Sequence, residues 1–194
     1  MIKVGQKAPE FSCPVVEGST VKQQYCLKDL GDTYKVIFFY PADFTFVCPT
    51  ELHAFQTKLD AFKKRNALVV GVSTDSVESH QKWLKTPKKE GGVEGITYPL
   101  VADDCKKMAL DYGVLDEASG MALRGLFVLD KDNIVQAAVI HNMPLGRNID
   151  ESLRILDALQ FHEKNGQVCP ANWETGQTAL DATTEGVKEY LSNS

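Results

Sequence analysis

The run Lys35-Val-Ile-Phe-Phe-Tyr40, an amphipathic segment after it and a second run, Ala67-Leu-Val-Val-Gly-Val-Ser73, constrain this chain more than any other feature. Both runs are apolar and β-branched or aromatic almost throughout, the pattern of strands buried on both faces of a sheet. Between them Leu52, Phe55, Leu59 and Phe62 recur at spacings of three and four, which predicts a helix from about Thr50 with one apolar face. Strand, helix and strand in that order make a parallel pair with a right-handed crossover. The chain is therefore read as an α/β domain organised around a βαβ unit.

The remaining segments extend that unit. Asp75 and Glu78 have capping-box spacing ahead of Trp83 and Leu84, marking a second helix. Thr86 to Gly95, with its Pro, paired Gly and mixed charge, reads as an exposed loop. Tyr98 to Ala102 reads as a short edge segment, and Asp104 to Tyr112 as a short helix stopped by Gly113. Arg124 to Asp130 and Ile134 to Ile140 flank Lys131-Asp132-Asn133 as an antiparallel hairpin. A last regular helix starts near Asn148, where Glu151 completes a capping box, and stops at Gly166. Beyond it Thr, Gly, Asn, Ala and acidic residues dominate. Residues 1–166 are thus expected to form the domain and 167–194 an extended C-terminal arm.

Composition closes off several classes of function. A chain of 194 residues with 43% hydrophobic and 24% charged residues fits one globular domain. Its net charge of −5 leaves no basic footprint for nucleic acid. No stretch has the length of a membrane span or the apolar core of a signal peptide, so a cytoplasmic protein is expected. Cys13, Cys26, Cys48, Cys105 and Cys169 are scattered and odd in number, which argues against a disulfide-stapled domain, and no Cys/His cluster suggests zinc.

The chemistry centres on Cys48. It falls where the buried strand gives way to the helix, at the positive end of the helix dipole and among amide groups without intrahelical partners. Both favour thiolate, the nucleophilic form. A βαβ start with a cysteine at the first helix is the thioredoxin-like arrangement, yet Cys48-Pro-Thr-Glu51 carries Glu where a dithiol oxidoreductase has its second Cys. A disulfide partner must come from far along the chain, and Cys169 lies in the arm. The other cysteines read as small packing residues. His53, His80, His141 and His162 form no triad and read as structural or surface groups, while Tyr40, Trp83 and Trp173 read as packing residues.

Pro41, Thr45 and Cys48 form Pro-x-x-x-Thr-x-x-Cys within Phe-Tyr-Pro-Ala-Asp-Phe-Thr-Phe-Val-Cys-Pro-Thr-Glu, and Val168-Cys-Pro-Ala-Asn-Trp stands in the arm. Together they resemble the typical two-cysteine peroxiredoxins, the branch that includes thioredoxin peroxidases and the peroxidase component of alkyl hydroperoxide reductase. The resemblance implies a thioredoxin-like fold with a central mixed sheet flanked by helices. It also implies a thiol peroxidase that reduces hydrogen peroxide and organic hydroperoxides without a metal, haem or other cofactor. Cys48 would attack the peroxide, with Thr45 orienting sulfur and substrate, and Arg124 favouring the thiolate and donating to the peroxide. Pro41 would shield the sulfenate, Glu51 would hold the arginine in register, and Arg147 would be a second arginine near the pocket. The family pattern makes Cys169 the resolving cysteine, in a disulfide between two chains of a homodimer that assembles into a decamer. Electrons would come from a dithiol protein or a flavoprotein disulfide reductase. Two rival readings are a ring-shaped holdase whose cysteines only switch assembly, and a disulfide isomerase, the latter weakened by the missing local cysteine pair.

Overall fold

Tyr34–Phe39 becomes strand β3 in the interior of the sheet, and every one of its residues is buried. The structure is a computed structural model that describes residues 2–193. In chain order its elements are β1 (Ser12–Glu17), β2 (Thr20–Cys26), β3, α1 (Cys48–Lys64), β4 (Ala67–Ser73), α2 (Val77–Lys85), β5 (Leu100–Ala102) and α3 (Lys107–Asp111). A small ribbon, β6 (Leu115–Asp116) and β7 (Met121–Ala122), is followed by β8 (Arg124–Leu129), β9 (Val135–His141), α4 (Ile149–Asn165) and α5 (Thr184–Ser192).

Seven strands form one mixed sheet in the order β2-β1-β5-β4-β3-β8-β9. The predicted parallel pair is present as β3 and β4, with Phe39 opposite Val72, and the predicted hairpin as antiparallel β8 and β9. Alternation along β3 assigns its side chains to two layers. Phe38 stacks on Phe55 of α1 at 4.1 Å, whereas Ile37 and Phe39 join Val70, Val72, Phe127 and Tyr112 in the core of the opposite layer.

Several elements depart from the sequence reading. The Tyr98–Ala102 segment is not an edge: β5 pairs with β4 on one side and with β1 on the other. The hairpin of β1 and β2 covers it, and β2 went unread because its Lys-Gln-Gln centre is exposed and polar. Helix α1 starts at Cys48, two residues before Thr50, since Pro49 fits a first helical turn, where an amide is not required. Ser76, not Asp75, caps α2 by accepting the Ser79 amide, because the Asp75 carboxylate is bonded to Asp43 N and Ser73 Oγ. The Thr86–Gly95 segment is only partly an exposed loop. Val93 is 0% exposed, the Gly92 carbonyl lies 3.0 Å from His53 Nε2, and Trp83 Nε1 donates to Gly91 O. A Cβ on Gly92 would stand 1.9 Å from the Thr86 carbonyl oxygen, so this close approach requires glycine.

The chain divides into two compact units, one ending at Ile149 and one beginning at Asp150. In the second, α4 ends where Gly166 turns to φ +73°, as its sequence signal predicts. It is not the last helix, however, since Thr183 accepts the Gly186 amide and caps α5. Between the helices Trp173 is buried and packs on Phe161 at 4.9 Å, and an antiparallel bridge joins Val168 to Leu180. Among the described residues no helix is long and apolar enough to cross a membrane.

Candidate active site

Cys48 is the first residue of α1, and it is 0% exposed. The residue before it, Val47, supplies no side-chain cap to the helix start. Arg124 arrives from the neighbouring strand. In the antiparallel pairing of β3 and β8, Phe38 stands opposite Leu126, so Arg124 falls beside the end of β3, where the chain turns toward Cys48. Its Nη1 lies 3.5 Å from Cys48 Sγ and donates to Glu51 Oε2 at 2.6 Å, while its Nε donates to the Met143 carbonyl at 2.6 Å.

Glu51, one turn after Cys48, is the hub of this arrangement. Besides Arg124 it accepts from Arg147 Nε, Nη2 and backbone N, each at 2.8 Å. Arg147 also donates through Nη1 to the Gly125 carbonyl at 2.6 Å, and its guanidinium lies 5.4 Å from the centre of the Phe38 ring. Burial pushes the Glu51 carboxyl up, but the bonds and charge of Arg147, with the charge of Arg124, outweigh it and hold the group below its ordinary range. Glu51, Arg124 and Arg147 are all buried, so two guanidiniums face one carboxylate in a site largely closed to water. The excess positive charge adjoins a sulfur atom. Such a set can stabilise a thiolate and the negative charge that develops on an oxygen leaving it.

Pro41 is buried immediately after β3. Thr45 sits in the bend before Cys48, half-buried, with its hydroxyl donating to the Ala42 carbonyl at 2.8 Å. That bond takes its one proton and leaves its lone pairs as acceptors, which narrows the dual role expected from sequence.

The AhpC/TSA family matches residues 4–138, and the C-terminal domain of 1-Cys peroxiredoxin matches residues 158–193. A thioredoxin peroxidase of Echinococcus granulosus is 43% identical over 190 residues, which cover 98% of each chain. Peroxiredoxin-2 of Bos taurus is 44% identical over 97% of this chain and 94% of its own. The reduced 2-Cys peroxiredoxin of Plasmodium vivax superposes with a TM-score of 0.95 at 41% identity, over 99% of this chain and all of its own.

The chain belongs to the AhpC/TSA family. It is a typical 2-Cys peroxiredoxin, with the thioredoxin-like fold of that group and its thiol-dependent peroxidase activity.

This peroxiredoxin keeps its other named cysteine in the second unit. Cys169 is half-buried, and its Sγ donates to the Ala158 carbonyl at 3.6 Å. Burial pushes its thiol up, and nearby Arg154 only partly offsets that. All five cysteines are free thiols; Cys13 and Cys26 are buried and Cys105 is exposed. Burial, with the charge of Asp103 behind it, pushes the Cys13 thiol up to about 12, which suits an inert packing residue.

Sequence reasoning missed two residues beside the site. Asp43 lies within the motif itself, and His80, read only as structural or surface, bonds to it across 37 positions. No local pattern joins them; the one signal in the sequence was an acid standing inside the motif, between Pro41 and Thr45.

Proposed function

We propose that Cys48 is the peroxidatic thiolate and Cys169 the resolving thiol. The observation that carries this reading is the Arg124 guanidinium at 3.5 Å from a fully buried Cys48 sulfur, with Glu51 holding it in place. Attack of the thiolate on one peroxide oxygen breaks the O–O bond. The other oxygen leaves with the electron pair and takes up a proton, as water from hydrogen peroxide or as an alcohol from an organic hydroperoxide. Sulfur is oxidised to sulfenic acid as the peroxide is reduced. Arg124 donates to the oxygen carrying developing charge, the Thr45 lone pairs receive the peroxide O–H, and Pro41 keeps water from the sulfenate. Arg147 acts through Glu51. The sulfenic acid then condenses with the Cys169 thiol, releasing water and forming a disulfide, which stops oxidation toward the irreversible acids.

In this reading residues 167–194 are an arm whose resolving cysteine reaches a second chain of a homodimer, with dimers joined into a decamer. Phe46, 94% exposed, and half-exposed Phe44 offer apolar surface for another copy to cover. A dithiol protein or a flavoprotein disulfide reductase reduces the disulfide; thioredoxin is the first candidate, since the Echinococcus granulosus relative is a thioredoxin peroxidase. The cytoplasm is the proposed compartment. Relatives include a chloroplastic and a mitochondrial 2-Cys peroxiredoxin, so the family itself does not fix it.

Non-reducing electrophoresis after peroxide treatment tests the pairing. A dimer band should appear in the parent and vanish in Cys48→Ser and in Cys169→Ser. An oxidised species migrating as a monomer with an internal Cys48–Cys169 bond would refute the inter-chain part, and a dimer band persisting in Cys169→Ser would remove that residue from the reaction.

A further inference from the structure

A second concentration of thiol chemistry lies away from Cys48, and none of the reaction above uses it. Cys13, in β1, and Cys105, in the turn between β5 and α3, line one cavity of about 310 Å³. Phe11, Cys13 and Met108 are buried and form its apolar wall. Cys105 and Lys107 line it too but are exposed, which places them at its opening. That volume falls at the lower end of small-molecule sites, about 300–1,000 Å³.

Asp103 gives Cys105 a proton acceptor. Its carboxylate is buried, with Oδ1 accepting the Met108 amide at 3.0 Å and Oδ2 the Ala109 amide at 2.7 Å, and the Cys105 S–H donates to Oδ1 at 3.6 Å. Burial pushes the Asp103 carboxyl up, and these three donors offset that only in part, so the group takes a proton more readily than an ordinary carboxylate. Among the described residues Lys107, bonded to Asp111, is the one cation lining the cavity. The remaining charge is negative: Glu10 and Asp111 line the cavity, and Asp103 and Asp104 act on Cys13 from beside it. This set repels an anionic ligand and leaves an uncharged one unaffected.

An exposed thiol beside a proton acceptor, an ammonium group and an apolar cavity suits one chemistry, attack on a carbon electrophile that carries an apolar tail. We propose that Cys105 and this cavity form a covalent capture site for uncharged, apolar α,β-unsaturated aldehydes. The sulfur electron pair forms a C–S bond to the β-carbon as the S–H proton passes to Asp103. The π pair of the C=C bond shifts toward the carbonyl, whose oxygen takes up negative charge beside the Lys107 ammonium. The proton then goes to the α-carbon, leaving a saturated thioether aldehyde. The thiol adds across the double bond, so no group leaves and no oxidant or reductant is consumed. The tail lies along Phe11, Cys13 and Met108. The site is independent of the roles given to Cys48 and Cys169.

Trans-2-nonenal and acrolein, which share the reacting group and differ in the tail, are the probes. They are added to the reduced full-length chain carrying Cys48→Ser and Cys169→Ser, so that those thiols do not compete. Peptide mass spectrometry should find the nonenal adduct on Cys105 and not on buried Cys13 or Cys26. With each rate divided by that of a small free thiol, N-acetylcysteine, Cys105 should favour nonenal over acrolein by on the order of tenfold, the gain from burying about two methylene groups of the tail. Lys107→Ala, at an exposed position, should slow both additions several-fold. Equal relative rates for the two aldehydes, an adduct that falls on another cysteine, or an unchanged rate in Lys107→Ala overturns the inference.

Discussion

Arg124→Gln slows the reaction of Cys48 with hydrogen peroxide by on the order of a hundred- to a thousandfold, the usual cost of losing one oriented donor at a site of developing charge. Arg124 is the one described cation in hydrogen-bond contact with the sulfur, and it is held there by Glu51 and the Met143 carbonyl. Glutamine removes the charge, shortens the reach and leaves Sγ without that donor. Arg124→Lys keeps the charge but cannot bond Glu51, Met143 and the sulfur through one planar fork, so it should recover only a small part of the rate. Stopped-flow measurement of Cys48 oxidation is the test, with near-ultraviolet circular dichroism to show that the packing survives. A rate for Arg124→Gln within a few-fold of the parent sinks the role assigned to this arginine.

Glu51→Ala is the substitution expected to damage both stability and activity. Two buried guanidiniums would lose their shared carboxylate, and breaking a buried ion pair by deleting one partner costs about 3–5 kcal/mol. In a chain of this size that lowers Tm by on the order of 10 °C. Removing the second charge as well, in Glu51→Ala/Arg147→Met, should restore part of the loss, because an apolar replacement carries no uncompensated charge. The same carboxylate shapes the acid limb of stability. Its folded form titrates below the ordinary value of 4.5, so its contribution is present above that pH and disappears as pH falls through the lowered value. Glu51→Gln should lack this component in urea titrations run between neutral and acid pH. A Glu51→Ala variant as stable as the parent would show that the arginines find other partners.

Much of the site was legible because its information is local. Cys48 announces itself by standing between a continuously apolar strand and a helix whose Leu52, Phe55 and Phe62 share one face, and the Glu at position 51 excludes a local disulfide. Strands β3, β4, β8 and β9 and the end of α4 at Gly166 follow from the same kind of signal: side-chain periodicity, continuous apolar runs and the conformations of turn residues. The resemblance to the two-cysteine peroxiredoxins, not any local pattern, is what named Thr45, Arg124 and Arg147 as candidates for the same site.

What the chain's neighbours in space contribute could not be read that way. The short segment Tyr98–Ala102 reads as an edge, and only the pairing of β5 with β1 makes it internal. The Thr45 hydroxyl looks free to donate until the Ala42 carbonyl is found beneath it. Glu51 meets Arg124 across 73 positions and Arg147 across 96, and Asp43 meets His80 across 37. Periodicity and propensity act over a turn or a pleat, a few residues at a time. The sequence by itself therefore determined the βαβ core, the β8–β9 hairpin, the candidate cysteine and the family resemblance, whereas the tertiary structure decided which charges are buried together. For the sulfur that decision belongs to the sheet, because the pairing of β3 with β8 sets Arg124 beside the end of β3, within hydrogen-bonding distance of Cys48.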